Sequence, residues 1–112
     1  MEAKDKKNIK IRLALTVNKI LEQNKKRTAN NKTQGTKDHT IVDSLRKLEA
    51  SSGISFPIIQ KISKAEKNAA LSTIVAIAEG LDLSLTEFFS YFDKITDEAI
   101  RTENDKRKKK NK

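Results

Sequence analysis

Side chains able to do covalent or metal chemistry are scarce in this chain, and their spacing does not favour it. The single histidine, His39, stands in a polar stretch with no Asp/Cys/His cluster at metal-ligand spacing around it, so it reads as a solvated loop histidine. Cysteine is absent, which removes thiolate chemistry, a disulfide framework and the usual zinc spacings. Ser51 and Ser52 have no partnering base nearby, and Asp82, Glu87, Asp93 and Asp97 fall where caps or solvated helix faces are expected. No catalytic site, metal site or cofactor is therefore expected, no small-molecule substrate is evident, and the chain does not read as an enzyme. What remains is the chemistry of charge.

The 112 residues carry a formal net charge of +9, spread unevenly. Residues 1–40 hold +7, residues 41–100 hold −3 and residues 101–112 hold +5. Basic arms on a near-neutral body suit a nucleic-acid partner, because neutralising phosphates releases condensed counterions whatever the base sequence. The same lysines would also serve plain solubility. No apolar run approaches the ~18 residues of a membrane span, and the opening MEAKDKKN lacks the apolar stretch of a secretory signal. A cytoplasmic protein is the expectation, with no membrane partner.

The elements that must position any site read as helices. Residues 1–8 are polar and suggest a disordered arm. From Ile9 to Lys26 the apolar residues first alternate like a strand, but Ile9, Leu13, Val17, Ile20 and Leu21 share one helical face, and the ILEQNKK ending favours helix. Residues 27–39, RTANNKTQGTKDH, read as a flexible basic loop. Thr40 with Asp43 resembles a capping box for a helix over 41–52 that faces inward with Ile41, Leu45 and Leu48. Gly53 ends it, Ile54 plugs the turn, and Ser55 is the N-cap candidate for a helix running to Lys64, with Pro57 near its start and Ile59 and Ile62 as core. Leu71, Ile74, Val75, Ile77 and Ala78 form the face of a fourth helix closed by Gly80. Ser84 and Glu87 make a capping box for a fifth, whose inner side is Phe88, Phe89 and Phe92. Four adjacent aromatics, counting Tyr91, cannot all be buried on one helical face, so one or two are available for a dimer contact. Thr96 and Asp97 suggest a short extension to Ile100, and 101–112 reads as a disordered basic tail. The reading is an all-α, five-helix domain over 9–100, with nothing that reads as sheet.

Two short helices joined by Gly53-Ile54-Ser55 have the spacing that a helix-turn-helix demands. Around that turn, Leu48 through Ser55, the Ile59/Ile62 pair, Asn68 before Leu71, and Ile74–Leu81 leading to Leu83-Ser84-Leu85 keep their mutual spacing across three helices. The segment from Ser44 to Phe89 resembles the Cro/repressor-like helix-turn-helix family, also called the xenobiotic-response-element family of bacterial and phage regulators. Val17–Lys26 is a looser match to that family's first helix. The resemblance implies a lambda-repressor-like five-helix domain that binds duplex DNA, usually as a homodimer on a two-fold site, and regulates transcription. Three features depart from the family pattern: the thirteen-residue loop after the first helix, the apolar Phe56-Pro57-Ile58 start of the reading helix, and Ser63 and Ala65 where Glu and Gly are frequent.

Carried over by that resemblance, the residues facing the major groove are Ser55, Phe56, Pro57, Ile58, Gln60, Lys61 and Lys64. Gln60 is suited to adenine, Lys61 to guanine or phosphate, and Phe56 or Ile58 to a thymine methyl. Lys64 and Lys67 are suited to phosphates, which position without specifying. In the alternative, Phe56 and Ile58 pack against another element, and Lys61 and Lys64 are ordinary solvated lysines. A different class of function also fits the sequence. The same fold would serve as an antitoxin-like protein-interaction module through the Phe56-Pro57-Ile58 face, and a third reading is a non-specific nucleic-acid binder relying on 101–112.

Overall fold

The alternation of apolar residues near the start of the chain resolves into two faces of one helix. In the computed structural model, which describes residues 3–33 and 41–110, α1 spans Ala3–Thr33. Leu13, Val17, Ile20 and Leu21 face the main core, while Ile11 and Leu15 face a second, smaller cluster with Ile95 and Ile100. A helix clothed on both sides shows apolar residues at nearly every other position, which is why the pattern imitates a strand. Ile9, expected on the core face, is instead 37% exposed, and Ile11 is buried. Residues 3–8, read as an arm, are the first turns of α1.

The helix also continues through 27–33, where the sequence suggests a loop; residues 34–39, with His39, lie outside the described residues. Polar contacts carry this continuation. Asn24 is buried and donates through Nδ2 to the Val42 carbonyl at 2.7 Å, and Thr28 donates to the Asn24 carbonyl at 3.0 Å. Hydrogen bonds of this kind leave no trace in an apolar periodicity.

α2 is shorter than expected, Leu45–Ser52, because Ser44 is its N-cap: the Lys47 N–H donates to Ser44 Oγ at 3.2 Å. Thr40 lies outside the described residues, and 41–44 are not helical. Gly53 ends α2 at φ +76°, the left-handed backbone expected of it. α3 (Phe56–Ser63) follows at once, with Ile59 and Ile62 in the core. α4 (Leu71–Gly80) buries Ile77 and Ala78, but Leu71, expected on its inner face, is 67% exposed.

Gly80 is not the left-handed cap of α4. The helix ends in a Schellman arrangement with Asp82 at φ +60°, in which Leu83 N–H donates to Ala78 O at 2.9 Å and Asp82 N–H to Glu79 O at 3.0 Å. Gly80 serves packing instead, since a Cβ there would come within 2.9 Å of Ser52 Cβ, so the glycine permits α4 to press against α2.

α5 (Leu85–Lys94) starts with both halves of the expected capping box, at 3.1 Å each. Phe88 is fully buried; Phe89 and Phe92 are half-buried, and the three rings pack edge to face. Beyond Ile95 the chain forms α6, Asp97–Lys110, where the sequence reading places a short extension and then a disordered tail. Thr96 Oγ1 caps it by accepting from the Ala99 N–H at 3.0 Å. Asp97 and Glu98 in its first turn complement the helix dipole. The fold is therefore all-helical among the described residues, with six helices rather than five, and no helix there is long and apolar enough to cross a membrane.

Arg12 ties the first helix to the last two. Its guanidinium donates to the carbonyls of Ile95 (2.9 Å) and Phe92 (3.4 Å) at the end of α5, pairs with Asp97 at 3.2 Å, and lies 5.5 Å from the Phe92 ring centroid. These contacts fix the corner at which α5 passes into α6.

Candidate nucleic-acid interface

α3 is amphipathic in the strict sense that its two sides have different neighbours. Ile59, Ile62 and Ser63 are buried, and α1 packs along them, with Asn18 Nδ2 donating to the Ser63 carbonyl at 3.0 Å. On the opposite side Pro57, Lys61 and Lys64 recur at i, i+4 and i+7 and are exposed, so they form one outward stripe with Gln60 half-buried at its edge. Ser55, ahead of the helix, and Lys67, beyond it, are exposed as well. Of the eight residues singled out from sequence, Pro57, Lys61 and Lys64 thus share one exposed helical face with Gln60 at its edge.

Phe56 and Ile58 are placed differently. Ile58 is half-buried and leans on the main core. Phe56 is covered by a partner that sequence reasoning missed. The Arg46 guanidinium, on α2, stacks over the Phe56 ring at 3.7 Å from its centroid, a cation–π arrangement. Glu49 secures the pair, since its Oε2 accepts the Phe56 N–H at 3.0 Å and its Oε1 lies 3.9 Å from Arg46. This carboxylate takes over the N-terminal capping of α3, because Ser55 is extended but makes no side-chain cap. Nothing in the local sequence signals a contact across ten residues and a turn.

The recess beside Phe56 has a volume of about 580 Å³ and is lined from α1 by Asn18, Glu22 and Lys25 and from α2 by Arg46. At its margin Asp43 pairs with Lys47 at 2.9 Å. The hydrogen bond from Lys47 holds the Asp43 carboxyl below its usual range, with Thr28 adding to this and partial burial opposing it.

At the other end of α3, Arg107 of α6 donates through Nη1 to the Lys64 carbonyl and pairs with Glu103 at 3.4 Å. A segment far away in sequence is thereby brought to the C-terminus of α3. The stripe of α3 is flanked by Arg46 and Lys25 at one end and by Arg107 of α6 at the other. Such a surface can hold phosphates at both ends while presenting an amide and lysines between them. Among the described residues no three His, Asp or Glu side chains are grouped to hold a metal ion.

No protein-family model matches the chain, and no curated protein or solved structure matches it either.

Proposed function

We propose that this chain is a sequence-specific DNA-binding transcriptional regulator of the Cro/repressor-like kind, acting in the cytoplasm, with α3 as its reading helix. The observation that carries this reading is the outward stripe of Pro57, Lys61 and Lys64 with Gln60 beside it, bracketed by Arg46 and by Arg107 of α6. In this reading α3 enters the major groove, Gln60 and Lys61 contact base edges, and Lys64 and Lys67 contact phosphates. Arg46, stacked on Phe56, reaches the backbone beside the N-terminal end of α3. Phe56 then acts as the platform for Arg46 rather than as a thymine reader. Binding as a homodimer on a two-fold site belongs to the same proposal.

Selection from a randomised duplex library tests it. The wild-type chain is expected to enrich a short motif. Lys61→Ala combined with Lys64→Ala is expected to weaken binding to that motif by about 2 kcal/mol, the size of one or two side-chain bonds to DNA. Affinity that falls with salt but enriches no motif would sink the specific part of the proposal, and unchanged binding by the double variant would remove α3 from the interface.

A further inference from the structure

α3 is held at both ends by side chains from other helices, but by groups of different kinds. At its C-terminal end the carbonyls of Ser63 and Lys64 accept from Asn18 of α1 and Arg107 of α6. At its N-terminal end the holding group is an acid, the Glu49 carboxylate of α2, whose Oε2 accepts the Phe56 N–H at 3.0 Å. That bond, reinforced by the partial positive charge of a helix start, fixes the carboxylate in place. A fixed carboxylate can in turn hold a cation. Arg46 stands one helical turn back on α2, with Nη1 at 3.9 Å from Glu49 Oε1.

Arg46 and Lys47 are neighbours in the first turn of α2 and differ in what occupies them. Lys47 is committed to Asp43 at 2.9 Å. The Arg46 guanidinium lies between the Phe56 ring and Glu49, yet its side chain remains 74% exposed. An ion pair this long and this exposed adds little to the stability of the fold. Its effect is on where the guanidinium spends its time. A free arginine surrenders rotamer freedom when it grips a phosphate. One already stacked on a ring and drawn toward a fixed carboxylate has surrendered much of that freedom beforehand. The ring supplies a face for the guanidinium, and the carboxylate supplies its direction. We infer that Glu49 is a positioning residue for DNA binding: tied to the start of α3, it holds Arg46 over Phe56 in the orientation that meets a backbone phosphate. The inference rests on the DNA-binding reading of α3. It gives an acid, which alone would repel DNA, a favourable part in binding it.

The test is a double-mutant cycle on the full chain, read by fluorescence anisotropy. The probe is a labelled duplex of about 20 base pairs of mixed sequence at about 50 mM salt, since a phosphate contact needs no particular motif. Glu49→Gln removes the charge but keeps an amide oxygen for the Phe56 N–H, so α3 keeps its start and the circular dichroism spectrum should hold. Arg46→Ala is expected to weaken binding about tenfold in the wild-type chain and only about threefold in the Glu49→Gln background. A uniform loss of negative charge cancels in this comparison, whereas a role through Arg46 does not. In the free chain the Arg46 side-chain protons should resonate upfield, shielded by the Phe56 ring, and Glu49→Gln should move them back. An equal cost of Arg46→Ala in both backgrounds overturns the inference and leaves the DNA reading standing. So does a larger cost in the Glu49→Gln background, which would make Glu49 a competitor of the phosphate, or an Arg46 signal that Glu49→Gln leaves in place. A chain that binds no duplex overturns the DNA reading and this inference with it.

Discussion

Ala65 shows how much a single backbone angle can decide. It closes α3 at φ +60°, where Ala65 N–H donates to Ile62 O at 3.0 Å and Glu66 N–H to Lys61 O at 2.8 Å, the two bonds of a Schellman ending. A residue with a Cβ loses about 1 kcal/mol in this left-handed region, and glycine loses almost none of it. The Ala65 methyl recovers part of this by packing on the Ile11/Ile95/Ile100 cluster. Ala65→Gly is therefore expected to stabilise the fold by about 0.5 kcal/mol, read as a raised urea midpoint at unchanged m value. The opposite substitution at Gly53, which already occupies φ +76°, is expected to cost about 1 kcal/mol. If Ala65→Gly lowered the midpoint, the methyl contact would outweigh the strain. That an alanine rather than a glycine follows α3 at position 65 is visible in the sequence. Its consequence, a strained turn directly beside the proposed reading helix, needs the backbone angle.

At the scale of elements, the polar seam between α1 and the start of α2 is the part least visible beforehand and the most open to a pH measurement. Asp43 bonds Lys47, with Thr28 adding a smaller effect, so its carboxyl titrates below the ordinary value of an aspartate in the unfolded chain. A depressed folded-state pKa stabilises the fold above the unfolded value, and that contribution is lost as the pH falls through the folded value. The window therefore lies below about pH 4. Asp43→Asn is expected to lower stability at neutral pH and to flatten the loss between about pH 4 and 2 relative to wild type, measured by chemical denaturation across that range. Parallel acid limbs would remove Asp43 from the account.

The same seam explains what could be read from sequence and what could not. The Gly53 turn, the Ile59/Ile62 pair and the Ser84/Glu87 box are local signals, carried by residue type at fixed spacing, and the structure has all three. The last turns of α1 depend on Asn24 reaching Val42, and α6 depends on Arg12 and Arg107 reaching partners 43 or more residues away. Composition reads both segments as polar and loose, because tertiary hydrogen bonds by long side chains have no periodicity to betray them. The candidate interface divides in the same way. Lys61, Lys64 and Gln60 follow from helical spacing, whereas Arg46 on Phe56 and the delivery of α6 to Lys64 follow from the packing of separate helices.

Across the whole molecule, charge and shape are arranged along one line. About 31 residues of helix at 1.5 Å each make α1 some 46 Å long, matching the longest dimension of 47 Å. Most of the positive charge belongs to the regions at the two ends of the sequence, and residues 41–100 are net negative. Because Arg107 holds α6 against the carbonyl of Lys64, α6 meets the C-terminal end of α3. If α3 reads bases and α6 holds phosphates, the two contributions separate experimentally. Truncation after Ile100 retains Ile95 and Ile100, and with them the small cluster on α1. The truncated chain is expected to select the same motif as the full chain but to bind it more weakly. The slope of log affinity against log salt should fall by about 0.9 for each phosphate that α6 no longer neutralises, measured by anisotropy between about 50 and 200 mM salt. An unchanged slope would mean that α6 touches no phosphate. A changed motif would mean that α6 contributes to base reading or positions α3, and that Arg107 governs the orientation of the reading helix itself.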